Sequence, residues 1–301
     1  MNRRSFTQVM AAAALSAAVP KLPAAARAGA AQAQSAAGPF PLSVMLWTVF
    51  NNLPFEQRLA KVAEAGYTNI QLVGEYAKWG DADFARANAA RKSLGIQFDA
   101  TAGLRNGVSD PATRDAFLAE LHEAFTPMET LSCPAMIVLS GDVVPGLSRE
   151  AQHQASVETL KRAAGLVEGR KIAGQPVRLL LECIHVEERP KYFLTRADEA
   201  IEVVRAVNHP QVQFLYDIYH EQMTAGNLIE KLEKHIDAIG LIHIADVPGR
   251  HEPGTGEINY DNIYRKLAQL NYKHNVAMEF QPSGDPVATL RAAKKQAWGL
   301  G

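Results

Sequence analysis

The sequence predicts an α/β fold, a single (β/α)8 barrel, and three observations carry that prediction. From Pro41 onward, short apolar runs alternate eight times with stretches of helical period. Residues 38–301 are about as many as the ~250 typical of one such barrel, with no insertion large enough for another domain. Finally, four potential ligand residues close four consecutive apolar runs: Glu182 in Val177–Glu182, Asp217 in Phe214–Asp217, His243 in Gly240–His243 and Glu279 in Val276–Glu279. Their spacings of 35, 26 and 36 residues each match one strand-plus-helix unit. Side chains spaced in this way converge only when the strands lie parallel and side by side, with their C-terminal ends around one mouth.

The elements follow in order. Leu42–Trp47 reads as the first strand, and Phe55–Ala65 as an amphipathic helix stopped by Gly66. Asn69–Val73 is the second strand, and the helix Asp81–Leu94 again ends at a glycine, Gly95. Gln97–Thr101 is the third strand. Its helix is expected to begin near Asp110-Pro111, with aspartate as cap and proline in the first turn. Ala135–Leu139 is the fourth strand, followed by a long helix from Ser148 to about Lys171. The last four strands carry the four residues named above. Their helices are expected over Thr195–Val207, Asn227–His235, Asp261–Leu270 and Pro286–Trp298. After the seventh strand, the polar loop Asp246–Glu257 holds two prolines and three glycines. A loop there hangs over the mouth and is expected to act as a lid.

Residues 1–37 stand apart from this rhythm. Arg3-Arg4-Ser5-Phe6, the apolar stretch Val9–Val19 and the Ala-x-Ala sites that follow form a secretory leader of the twin-arginine type. The expectation is an exported, periplasmic protein that does not span the membrane once the leader is cleaved. A net charge of −1 offers no basic field for nucleic acid, so a small molecule is the expected partner. Two cysteines, Cys133 and Cys183, build no disulfide framework, and the strand assignment puts them at opposite ends of the barrel.

Three carboxylates and an imidazole at one barrel mouth make an oxygen-rich site for one divalent ion, with Mn²⁺, Mg²⁺ or Co²⁺ favoured over thiolate-seeking metals. Such an ion can take the adjacent carbonyl and hydroxyl oxygens of an α-hydroxycarbonyl compound and stabilise an enediolate. Glu182 and Glu279 are the candidates for moving the proton between the two carbons. Trp47, Glu75 and Trp79 follow the first two strands on the mouth side. They are candidates for an apolar wall with one polar contact, although core packing is the plainer expectation for Trp47. His122, His153, His209, His235 and His274 fall away from the mouth and read as surface or structural.

The stretches Tyr216–His220, His243–Glu257 and Glu279–Asp285 resemble the hydroxypyruvate isomerase family, within the xylose isomerase-like group of TIM barrels. The resemblance runs from about Ser43 to Asp285. It implies that Glu182, Asp217, His243 and Glu279 hold a divalent metal and that the two glutamates are the acid–base pair. Related ketose 3-epimerases share that arrangement. It also implies that Glu188 and His220 contact substrate hydroxyls, with a structural histidine as the alternative for His220. Arg250 is expected to fork onto a substrate carboxylate or to pair with Glu252 or Glu257 in its own loop. Two positions depart from the family pattern: His243, where some hydroxypyruvate isomerases carry glutamine, and His185, where asparagine is frequent. The implied activity is interconversion of hydroxypyruvate and tartronate semialdehyde, with a keto-sugar epimerase, a lyase-type enzyme and a non-catalytic sugar binder as alternatives. Barrels of this kind often pair, so a homo-oligomer is a further expectation.

Overall fold

A computed structural model describes residues 38–299; the leader expected over residues 1–37 lies outside them. Eight parallel strands close a barrel in sequence order. They are β1 (Leu42–Met45), β2 (Asn69–Val73), β3 (Gln97–Ala102), β4 (Ala135–Leu139), β5 (Arg178–Glu182), β6 (Val212–Asp217), β7 (Ile239–Ile244) and β8 (Val276–Met278). Around them run helices α1 (Phe55–Glu64), α2 (Asp81–Leu94), α3 (Arg114–Leu131), α4 (Arg149–Val167), α5 (Ala197–Val207), α6 (Ile218–Thr224), α7 (Leu228–His235), α8 (Tyr260–Gln269) and α9 (Pro286–Ala297). Strand residues alternate between two cores, as a two-residue period demands. Met45, Ile137, Leu180, Leu215 and Leu241 pack inside the barrel, while their neighbours, such as Val44, Val138, Leu181 and Ile242, join the helices in the outer layer.

The helix ends follow local chemistry. Gly95 stops α2 in the left-handed region at φ 68°. Ser148, Asn259 and Asp285 each cap a helix by accepting a backbone N–H, from Ala151, Asn262 and Ala288 respectively. Two helix boundaries differ by several residues, and one helix is additional. The third helix starts at Arg114 because the Asp110 carboxylate folds back onto the Ala112 N–H at 2.8 Å, forming a turn. The fourth ends at Val167, and Lys171–Ile172 instead pairs antiparallel with Gln175–Pro176. Helix α6 was not expected from the sequence: it follows β6 with no intervening loop and has Asp217 itself as its cap.

The loop after β7 is tied down rather than free to swing. The carboxylate of the fully buried Asp246 accepts the backbone N–H groups of Val247, Gly254, Gly256 and Ile258, all at 2.9–3.0 Å. This corrects the expectation of a lid, since opening would strip four hydrogen bonds from a buried carboxylate. Gly256 passes so close to the start of the loop that a Cβ there would lie 2.0 Å from the Val247 carbonyl oxygen. Gly256→Ala is therefore expected to cost roughly 1–3 kcal/mol. The melting temperature should drop by about 2–12 °C, measured by circular dichroism. An unchanged melt would show that the loop has slack.

Among the described residues no helix is long and apolar enough to cross a membrane. Cys133 and Cys183 are both buried and unbridged, one before β4 and the other after β5, as the strand assignment implied.

Candidate active site and metal centre

Glu182 and Asp217 end β5 and β6, His243 lies one residue inside the end of β7, and Glu279 follows β8 directly. Parallel register sets Asp217 beside His243, and His243 beside Ala277, two residues before Glu279. All four are buried, and each offers a ligand atom within 4.8 Å of those of the other three. They form the cluster that their strand-end positions predict.

The cluster contains unsatisfied atoms aimed at a common point. His243 Nδ1 lies 2.8 Å from Glu279 Oε2 and 3.9 Å from Glu182 Oε1. The Nδ1–Oε2 approach lacks hydrogen-bond geometry, and both atoms are buried without a hydrogen-bond partner. Buried polar atoms normally find partners, and a shared cation supplies one to both. Three carboxylates with one imidazole thus fit a single divalent ion. Asp217 divides its oxygens: Oδ1 accepts the His220 N–H at 3.0 Å, capping α6, and Oδ2 faces the cluster.

Arg250 closes the cluster from the loop after β7. Its backbone is left-handed at φ 56°, with its carbonyl accepting the Gln281 N–H at 2.8 Å. The guanidinium reaches Glu188 Oε2 at 2.8 Å, Glu279 Oε2 at 3.0 Å and Asp217 Oδ2 at 3.8 Å. It stacks between the rings of Trp47 and Tyr219 at 5.4 and 5.1 Å. This departs from the pairing with Glu252 or Glu257 that the loop composition allowed: Glu252 accepts from Ser283, and Glu257 from Gln222. Beside Arg250, His185, Glu188 and His220 gather within 4.8 Å of one another, with the two histidine Nδ1 atoms 2.6 Å apart.

The charges push the groups in different directions. Burial raises Glu182 to about 8, helped by the Glu279 charge, and raises Asp217 to about 6 by the same two effects. Burial also works against an ionised Glu279, but the charges of His243 and Arg250 outweigh it and hold that carboxyl far below the usual range. For His243, burial is likewise outweighed, and Glu279 lifts the imidazole to about 9. Burial and then Arg250 depress His220 to about 3, so it is neutral at physiological pH. In the metal-free cluster the two glutamates are thereby pushed in opposite directions.

Other expectations near the mouth divide. Trp47 does more than pack: its Nε1 donates to Glu279 Oε1 at 2.9 Å. Glu75 turns away to Arg58 and the Val73 N–H, and Trp79 packs against Phe55 and Phe84, so neither joins the cluster. The sequence reading missed Gln71, whose Oε1 meets His243 Nε2 at 2.8 Å. A glutamine centred in the apolar run Asn69–Val73 was the available signal.

The xylose isomerase-like TIM barrel family model matches residues 59–297. A putative hydroxypyruvate isomerase from Danio rerio is 30% identical over 262 residues, spanning 82% of this chain and 92% of its own. A 2-oxo-tetronate isomerase from Pectobacterium atrosepticum is 29% identical, spanning 78% and 90%. Among solved structures, a family 2 AP endonuclease from Brucella melitensis superposes with a TM-score of 0.74 at 28% identity, covering 83% of this chain and 96% of that one. The chain belongs to the xylose isomerase-like TIM barrels and, within them, to the hydroxypyruvate isomerase family.

Proposed function

We propose that this protein is a divalent-metal-dependent isomerase of small α-hydroxy keto acids that interconverts hydroxypyruvate and tartronate semialdehyde through an enediolate. The reading includes export by the leader, which places the reaction in the periplasm. One observation carries it: Glu182, Asp217, His243 and Glu279 each offer a buried ligand atom within 4.8 Å of the others, beside the buried Arg250. Two glutamates entering one such cluster from different strands are placed to divide acid and base work.

When bound, the ion would lie among Glu182, Asp217, His243 and Glu279 and would polarise the substrate carbonyl while countering charge that develops on oxygen. Glu279, held ionised by His243 and Arg250, takes the C3 proton of hydroxypyruvate. Glu182 returns a proton at C2 and the C3 hydroxyl proton passes to the C2 oxygen, leaving an aldehyde at C3 and a hydroxyl at C2; proton exchange with solvent then resets the two glutamates. Trp47 and Arg250 fix the orientation of the Glu279 carboxylate from two sides. Arg250 has the planar fork to hold the substrate carboxylate, exchanging part of its contact with Glu188.

His185, Glu188 and His220 add polar atoms beyond what three carbons need, which supports a four-carbon homologue as a second substrate, the class named for the Pectobacterium relative. The test is a panel in deuterated water with Mn²⁺, followed by proton NMR. Hydroxypyruvate and a 2-oxo-tetronate should both exchange and isomerise. Exchange confined to ketohexoses would replace this reading with a sugar 3-epimerase. In the same assay Arg250→Lys should raise KM for the keto acids by about 10–100-fold and change kcat less, because a charged hydrogen-bond pair contributes roughly 1.5–3 kcal/mol.

A further inference from the structure

A chain of buried polar groups runs from the ligand cluster into the barrel interior. His243 Nε2 lies 2.8 Å from Gln71 Oε1, the Gln71 amide donates to Asp99 Oδ2 at 3.0 Å, and the Ser43 hydroxyl donates to Asp99 Oδ1 at 2.6 Å. Gln71 and Ser43 are fully buried, and Asp99 nearly so. These groups come from β7, β2, β3 and β1; β3 and β7 lie opposite one another in the closed barrel, so the polar chain crosses the interior beside the apolar inner layer.

Asp99 reaches this position through an irregularity. The β2–β3 register pairs Ile70 with Phe98 but Gln71 with Ala100, so Asp99 is an extra residue bulged out of the ladder. Bulges re-aim side chains at the expense of regular pairing, and this one turns a carboxylate toward Gln71. Burying a carboxylate inside a barrel is costly unless it is hydrogen-bonded. Burial pushes the Asp99 carboxyl up, while the Ser43 and Gln71 donors and the Arg178 charge oppose that rise.

We propose that Gln71 and Asp99 are positioning residues that set the tautomer and ring orientation of His243, keeping a lone pair on Nδ1 for the metal. The inference rests on the metal reading above. Asp99 accepts from both the Ser43 hydroxyl and the Gln71 amide, so it takes the NH₂ end of that amide. The carbonyl end must then face His243, and Nε2 must carry the proton. Nδ1, on the other side of the ring, faces Glu182 and Glu279. A flipped amide would present NH₂ to Nε2, move the imidazole proton to Nδ1 and place it where the ion belongs.

The test is Mn²⁺ affinity by isothermal titration calorimetry on the metal-stripped protein at fixed pH, with thermal melts confirming that each variant folds. Gln71→Met removes the acceptor and should weaken Mn²⁺ binding by about 10–100-fold, the range expected for loss of an outer partner to a ligating histidine. Asp99→Leu frees the Gln71 amide to flip and should weaken binding in the same direction. Asp99→Asn can turn its carbonyl to Gln71 and its amide to the Ser43 hydroxyl, so it should stay within about three-fold of wild type. This rescue separates positioning from packing, and the Asp99 pair keeps the test decisive even if Gln71→Met does not fold. Wild-type affinity in Gln71→Met and Asp99→Leu, or an Asp99→Asn loss as large as that of Asp99→Leu, overturns the positioning role alone. Absence of Mn²⁺ binding by the wild type overturns the metal reading and the positioning role with it.

Discussion

Glu279→Gln should lower turnover of hydroxypyruvate by about 10³-fold or more. The variant loses a general base, which by itself contributes about 10²–10⁴-fold, and one charged ligand of the ion. A glutamine is close in shape, so Trp47 still has an oxygen to donate to and the far-ultraviolet circular dichroism should stay unchanged. Glu182→Gln provides the contrast. It also stops turnover, but Glu279 remains ionised, so a Glu182→Gln protein that retains metal should still exchange the C3 proton with deuterated solvent. Glu279→Gln should lose exchange and turnover together. If Glu279→Gln turns over at the wild-type rate, its assignment as the base is wrong; if it alone keeps the exchange, the two roles are reversed.

Stability should respond as well, with a definite sign. Glu279 is held ionised far below its unfolded range, so it stabilises the fold above the ordinary carboxyl pKa, and that contribution is lost as the pH falls through its folded value. The melting-temperature gap between wild type and Glu279→Gln should therefore be largest at neutral pH and shrink below about pH 4. The gap should be modest, because His243 and Arg250 lose a counter-charge while neither loses all of its partners: His243 keeps Gln71, and Arg250 keeps Glu188.

The sequence announced the barrel and the four clustered residues for one reason. Strand period and strand ends are local properties, and Glu182, Asp217, His243 and Glu279 each stand where an apolar run stops. Closure of the barrel in sequence order then brings them together without further information. Gln71 and Asp99 lie within strands, where a single polar residue gives no indication of its partner. Asp99 depends besides on a bulge, which shifts a side chain by one position and leaves no mark in the hydrophobic alternation. Arg250 was visible as a candidate, but its partner was not, because its left-handed backbone directs the side chain away from the nearby loop acids and into the mouth. Helix α6 was hidden for a related reason: Asp217 ends a strand, caps a helix and faces the cluster at once, and a strand-end reading assigns it one task. The lid expectation rested on the polar, proline- and glycine-rich composition of the loop, which gives no sign that four of its backbone N–H groups converge on Asp246.

Metal removal should abolish activity, and the affinity for the ion should rise with pH between 6 and 9. Burial, reinforced by the Glu279 charge, raises Glu182 to about 8 and Asp217 to about 6. His243 is lifted to about 9, with burial opposing and Glu279 prevailing. At pH 6 the metal-free cluster therefore holds protons on Glu182 and His243 that a ligating carboxylate and a ligating Nδ1 must give up. Each proton released adds up to about ten-fold in affinity per pH unit over the range where it is bound. The metal-free protein behaves in the opposite sense. Between about pH 4.5 and 8 folded Glu182 keeps a proton that the unfolded chain has lost, so its contribution makes the fold less stable as the pH rises. For His243 the stabilisation is complete below its unfolded pKa, near 6.5, and is lost as the pH climbs through about 9. Both contributions slope the same way, and bound Mn²⁺ neutralises the carboxylates that cause the loss. The rise in melting temperature on adding saturating Mn²⁺ should therefore be larger at pH 8 than at pH 6. Chelation with EDTA should remove both that gain and the turnover, and either Mn²⁺ or Co²⁺ should restore them. A stabilisation by Mn²⁺ that shrinks as the pH rises would mean that the ion does not displace those protons, and that it binds somewhere other than among Glu182, Asp217, His243 and Glu279.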